Sequence, residues 1–280
     1  MPTNVLELSA LLGLGAFGAG IVGALTGLGG GVVLVPMLTL LFKVDMRYAI
    51  GTALVSVIAT SSGAAAAYVR EGYSNVRVGM FLEVATTSGA LAGAFLAGLI
   101  PTSALAVVFG LFLLYSAYVT MRARQETGRS LPPDPIATRL GMNSTYPTPQ
   151  GREAYHPQRV SLTWGLMAVA GLLSGLLGVG SGALKVLAMD RVMRLPFKVS
   201  TTTSNFMIGV TAAASAGIYL HRGYIDPGLA MPVMLGVLAG AVVGSRLLTA
   251  AKAGALRVLL AVVIFALAVE MVVHGLAGWI

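Results

Sequence analysis

Two charged side chains lie inside otherwise apolar stretches. Lys185 is a basic residue well inside an apolar segment, unlike Arg246 and Arg257, which lie near segment ends, and Glu83 sits within another. Ionisable groups in hydrocarbon are costly and count as functional candidates by default. Lys185 would either hold an anion or snorkel along a short helix to the surface beside Arg191. Glu83 would carry a coupling proton or lock Arg246. Hydroxyls follow in runs: Thr52, Ser56, Thr60, Ser61 and Ser62 in the first half, and Ser200, Thr201, Thr202, Thr203, Ser204 and Asn205 in the second. A single Ser or Thr can bond back to a helix carbonyl. A run of consecutive polar residues cannot turn wholly away from a cavity, because unpaired hydroxyls in hydrocarbon are costly. Thr52, Ser56, Thr201, Ser204 and Asn205 therefore become candidate lining groups. A two-residue slip in the alignment of the two halves sets Ser56 opposite Asn205.

The third group is a pair of glycine breaks. Gly27, Gly29, Gly30 and Gly31 are echoed by Gly178, Gly180, Ser181 and Gly182, each 151 residues further on. Glycine in a helix interior costs about 1 kcal/mol relative to alanine, so each cluster should open its helix. The freed N–H groups at a helix start, with the positive end of the helix dipole, suit an anion. The plainer role for glycine is tight helix packing, which is the expectation for Gly89, Gly93, Gly240 and Gly244.

The elements that must position these groups are apolar and long. The chain is 56% hydrophobic and 10% charged, with mean hydropathy +0.86. A soluble domain carries about 25% charged residues, so an integral membrane protein in the lipid bilayer is implied. Apolar segments run about 8–42, 48–69, 78–100 and 104–120, then 162–189, 199–220, 228–248 and 255–275. A span needs about 20 apolar residues. Segments 8–42 and 162–189 are too long for one span, and each contains a glycine break. The net charge of +8 fits basic cytoplasmic loops rather than nucleic acid. The first residues lack a basic region and a cleavage site, so no cleaved signal peptide is expected.

The halves also match at Arg70–Tyr73 against His221–Tyr224 and at Met80 against Met231. The expected organisation is one membrane domain of two copies: 1–121 the first repeat, 122–160 an Arg- and Pro-rich linker, 161–280 the second repeat. The linker reads as a loop without a core of its own. Eight simple crossings would leave the cations evenly divided between the sides. If each glycine-broken segment instead enters and returns as a hairpin, fourteen Lys and Arg share one side, against Lys43, Arg47 and Arg222 on the other. The positive-inside rule selects the hairpins. The fold expected is all-α and polytopic, two inverted repeats each of a glycine-broken hairpin plus three spans. The linker would be cytoplasmic and both termini outside.

Enzyme and metal chemistry find little support. There is no cysteine, and His156, His221 and His274 fall at loop or span ends without metal-ligand spacing. Ser181 has no plausible histidine base. Glu270 and His274 read as an interfacial pair. No cofactor is expected, and no oligomeric state is assigned.

The pattern of Gly23, Gly27, Gly29, Gly30, Gly31 and Pro36 resembles the TauE/SafE family of sulfite exporters. The resemblance covers both repeats and excludes the linker. In the second copy Ser181 replaces a glycine and Leu187 the proline. It implies export of small sulfur oxyanions or organosulfonates (sulfite, thiosulfate, sulfoacetate) across a bacterial inner membrane. The residues themselves suggest a secondary transporter working by alternating access, with protons or sodium as coupling ion. An anion channel, or a membrane scaffold whose glycines only pack helices, are the alternatives.

Overall fold

The computed structural model describes residues 4–26, 30–70, 73–121, 134–148, 151–250 and 253–278. In the first half, α1 (Val5–Thr26) leads through the glycine break into a short return arm. That arm is α2 (Gly31–Pro36), prolonged by a π-helical turn at Met37–Leu41. Then come α3 (Met46–Arg70), α4 (Val76–Ala97) and α5 (Thr102–Met121). The second half repeats the order. α7 (Val160–Leu177) precedes α8 (Gly182–Leu187) with its π-helical turn at Ala188–Val192, then α9 (Phe197–His221), α10 (Pro227–Ala250) and α11 (Ala253–Leu276). Return arms, α3 and α9 begin and end 151 residues apart, and α4/α10 and α5/α11 begin so. Even the turn after the π-helix repeats, with Lys43 at φ 55° and Arg194 at φ 57°. No slip is needed. Ser56 corresponds to Met207, Asn205 to Leu54, and Thr60 to Thr211. The π-helical turn does not depend on Pro36, because Leu187 stands there in the second copy and the same turn forms.

The two hairpins are asymmetric. Their outgoing arms, α1 and α7, are long, with 22 and 18 residues. Only the return arms are short. Helix pairing is also reciprocal between the halves: α1 packs on α10 and α4 on α7, α3 meets α9, and α5 meets α11. Gly51 approaches Tyr224 while Gly209 approaches Ser61, so α3 and α9 run antiparallel. Gly110 approaches Val272 while Gly275 approaches Ser103, so α5 and α11 do too.

Glycine allows the closest of these contacts. A Cβ on Gly89 or Gly93 would collide with the carbonyls of Ala168 or Leu172 on α7, and one on Gly171 or Gly175 with those of Thr86 or Ala90 on α4. Gly240 makes the matching approach to Phe17. The outer surface is apolar: Met80, Val84 and Phe95 of α4 are 62%, 61% and 55% exposed, while Glu83 and Thr86 of the same helix are buried. That polarity is reversed from a soluble protein and suits lipid outside. Among the described residues, four helices are long and apolar enough to cross a membrane, and further apolar helices are shorter.

The ends of the bundle are distinct. At one, Arg47 donates to the Ile100 carbonyl at 3.1 Å and lies 5.7 Å from the Tyr224 ring centroid, while Arg222 donates to the carbonyls of Ala94 and Phe95. Eight simple crossings would have put Arg47 and Arg222 on opposite sides. At the other end stands the linker, of which 122–133 and 149–150 lie outside the described residues; for the rest the expected coreless loop is corrected. Residues 134–148 and 151–159 include α6 (Pro135–Arg139), capped by Asp134, and an antiparallel pair of β1 (Ser144–Thr148) and β2 (Gly151–Tyr155). Ala137, Met142 and Tyr155 are buried with Val78, Met193 and Val199 of the bundle. Asn75 ties the two parts together. It caps α4, and its amide donates to the Met142 carbonyl and the Tyr155 hydroxyl, each at 2.9 Å. Burial pushes the Tyr155 phenol above its ordinary value, against the hydrogen bonds with Asn75 and Ser144. Proline and arginine content concealed this fold, because three buried side chains and one Asn suffice when the bundle supplies the rest of the core.

Candidate functional site

The two glycine breaks meet in the interior. A Cβ on Gly31 would lie 2.8 Å from the Gly178 carbonyl oxygen and 3.3 Å from Val57 of α3. Gly27 and Gly29 lie outside the described residues. The second tip turns through three left-handed residues, Gly178 (φ 70°), Gly180 (φ 70°) and Ser181 (φ 45°), a region that side-chain-bearing residues enter at a cost of about 1–2 kcal/mol. Gly180 is also hemmed in, since its Cβ would stand 2.9 Å from Ile208 of α9. Gly180→Ala should therefore shift the tip and cut transport by at least about tenfold, 1.4 kcal/mol being the equivalent in free energy. Full transport by this variant, measured as initial uptake rate, would show that the tip tolerates the change.

From Ser181 the chain enters the return arm, and one turn later Lys185 points inward. It is fully buried, so it does not reach the surface beside Arg191. Its ammonium donates to Thr211 Oγ1 of α9 at 2.6 Å, and Thr211 Oγ1 lies 2.6 Å from Glu83 Oε1 of α4. The Glu83 carboxylate also accepts from Thr86 at 2.9 Å and Thr87 at 3.0 Å. A buried charge persists only when paired and hydrogen-bonded, and hydrogen bonds to charged groups contribute about 1.5–3 kcal/mol each. The bridge joins α4, α8 and α9 through one hydroxyl. Arg246, the other partner considered for Glu83, has its side chain outside the described residues.

Thr211 is absent from the sequence-level candidates. The repeat marks it as the mate of Thr60, but the two-residue slip hid that match. The residues 151 positions away are Leu34 of α2, Thr60 of α3 and Met234 of α10, so the charged cluster is built once.

The hydroxyl runs divide. Ser56 donates to the Thr52 carbonyl at 3.1 Å and Thr201 to the Phe197 carbonyl at 2.9 Å, each within its own helix. Ser204 donates to the Gly182 carbonyl of the return arm at 3.4 Å, and Thr203 accepts from the Asn75 N–H. Asn205 is half-buried. Thr52, Ser174, Ser181 and Ser200 are buried, and their hydroxyls have no hydrogen-bond partner. Buried hydroxyls are normally satisfied, and Ser181 stands at the tip itself, one turn before Lys185. His274 Nδ1 lies 2.9 Å from the Glu270 carbonyl oxygen on an exposed surface. No group of three or more His, Cys, Asp or Glu placed to hold a metal ion occurs among the described residues.

An apolar exterior, polar groups buried among the helices and two meeting hairpins define a polytopic helical membrane protein of transporter type. The profile described as "Sulfite exporter TauE/SafE" matches residues 12–271, and the chain belongs to that family. It is 26% identical over 267 residues to "Probable membrane transporter protein YunE" of Bacillus subtilis (strain 168), covering 92% of this chain and 95% of the relative. It is 25% identical over 277 residues to "Probable membrane transporter protein ORF9" of Sinorhizobium sp, covering 98% and 97%. A second Bacillus subtilis relative, "Probable membrane transporter protein YdhB", is 25% identical over 235 residues, with 81% and 85% covered. No solved structure matches.

Proposed function

We propose that this chain is a secondary carrier of a small anion, a sulfur oxyanion or organosulfonate such as sulfite, thiosulfate or sulfoacetate. The observation that carries the reading is Lys185, a fully buried ammonium one turn from the unpartnered Ser181 hydroxyl, where the two glycine tips meet. A cation held there favours a negatively charged cargo. Gly30, Gly31, Gly178, Gly180, Ser181 and Gly182 would bring backbone close to the anion, with Thr52, Ser204 and Asn205 nearby on α3 and α9. The name of the family supports a sulfur oxyanion.

Inverted repeats give alternating access its two equivalent conformations. The antiparallel running of α3 against α9 and of α5 against α11 supports that symmetry, as does the grouping of Arg47 with Arg222. Tips in contact, walled by Val57 and Ile208, favour a gated carrier over an open channel. On this reading the protein lies in a bacterial inner membrane with 122–160 cytoplasmic and both termini outside. Expelling an anion from a negative interior is downhill by about 2.3 kcal/mol per charge per 100 mV. Uptake would need protons or sodium.

Purified protein in proteoliposomes should take up radiolabelled sulfite with saturation, and unlabelled sulfite, thiosulfate or sulfoacetate should compete. Silence with all three anions would refute the carrier. Single-channel currents in place of counterflow would make it a channel.

A further inference from the structure

We propose that Glu83 is the proton site of this carrier and Thr211 the switch through which it competes with the anion for Lys185, so that one proton accompanies each anion. The inference rests on the carrier reading above. Thr211 has one hydrogen and two acceptors in reach, Glu83 Oε1 at 2.6 Å and the Met207 carbonyl at 2.9 Å. While it accepts from the Lys185 ammonium, its hydrogen is free to serve only one of them. With Glu83 ionised, the hydrogen points to the carboxylate, and three hydroxyls (Thr86, Thr87 and Thr211) hold the negative form. The cluster is then neutral: one ammonium, one carboxylate.

An anion arriving at Lys185 makes the cluster net negative in a medium where like charges repel strongly. Taking up one proton on Glu83 (COO⁻ + H⁺ → COOH) restores neutrality. The new carboxyl must donate a hydrogen bond. Thr211 can accept it by turning its own hydrogen to Met207, which costs no new movement of backbone. Release on the far side reverses both steps, and the proton leaves with the anion.

Other charged groups stand on the elements around Glu83. Among the described residues, Arg77 of α4 is bonded to Gly141, Arg159 precedes α7, and Lys198 of α9 stacks over Tyr73. His221 ends α9, and Asp190 and Arg191 lie in the last turn of the return arm. The charged neighbour of Glu83 through Thr211 is Lys185. The symmetry-related place holds Leu34 of α2, Thr60 of α3 and Met234 of α10, none of them a carboxylate, which sets the stoichiometry at one.

The test uses proteoliposomes of the full chain, the potential clamped with potassium and valinomycin. The probe is whichever of radiolabelled sulfite, thiosulfate or sulfoacetate the wild type exchanges. An inward proton gradient should drive net accumulation, and the apparent KM should rise by about tenfold per pH unit on the alkaline side, as linkage to one proton requires. In Glu83→Gln, exchange should no longer vary with pH, and the gradient should drive no accumulation. Thr211→Val should lose the gradient response, and Thr211→Ser should regain it. A Glu83→Gln protein that still accumulates anion on a proton gradient overturns the inference, as does wild type driven by sodium instead. A wild type without saturable exchange of any of the three anions refutes the carrier itself, a separate outcome.

Discussion

Lys185→Ala should abolish saturable anion uptake and also destabilise the protein, because it strands Glu83. Removing one member of a buried charge pair costs about 3–5 kcal/mol, whereas replacing both by apolar groups of similar size is often neutral or stabilising. The repeat shows what such a replacement looks like: Leu34 of α2 and Met234 of α10 occupy the places related to Lys185 and Glu83. The double variant Lys185→Leu with Glu83→Met should therefore recover the melting temperature in detergent that Lys185→Ala loses, and still carry no anion. That combination separates a site from a structural pair. Uptake restored along with stability in the double variant would show that the charges serve only to hold α4, α8 and α9 together. A melting temperature that stays low would mean that the surrounding threonines, not the charges, set the stability.

Gly171→Leu should prevent assembly of the bundle, while Gly165→Leu on the same helix should be tolerated. At Gly171 a Cβ meets the Thr86 backbone, which cannot rotate away as a side chain would. At Gly165 a Cβ meets nothing within 4 Å. Overpacking in a core costs about 1–3 kcal/mol and more when backbone must move. Leu at Gly165 should instead gain most of the helix propensity that glycine forfeits, about 0.8–1 kcal/mol. The measurement is the monodisperse fraction after solubilisation in mild detergent, read by size-exclusion chromatography. Equal behaviour of the two variants would mean that α4 and α7 can separate without loss of the fold. The same comparison distinguishes packing glycines from those at the tip, where Gly180→Ala should spare folding more than transport.

How far these features were legible in the sequence depended on their range. Composition alone implied lipid, because no soluble chain with so few charges could cover itself with polar surface. Period and repeat marked Gly30–Gly31 and Gly178–Gly182 as breaks, and charge asymmetry required the hairpins. Gly89, Gly93 and Gly240 were readable as packing residues because small residues recur at helix spacing where backbones approach. Ser56 was harder to judge. Whether a hydroxyl faces a cavity or its own helix depends on a rotamer, and Ser56 bonds back to Thr52.

The sequence by itself determined the class, the repeat and its offset, and the presence of two buried charges, since each follows from local composition and spacing. Tertiary structure alone decided that Lys185 turns inward, that Glu83 meets it through Thr211, and that Ala137, Met142 and Tyr155 make the described part of the linker a folded cap. The reason is the same in each case. Residues 83, 185 and 211 lie on three different helices, and their relation is fixed by packing at α4–α9 and α8–α9, where no periodicity along the chain reports the distance between side chains.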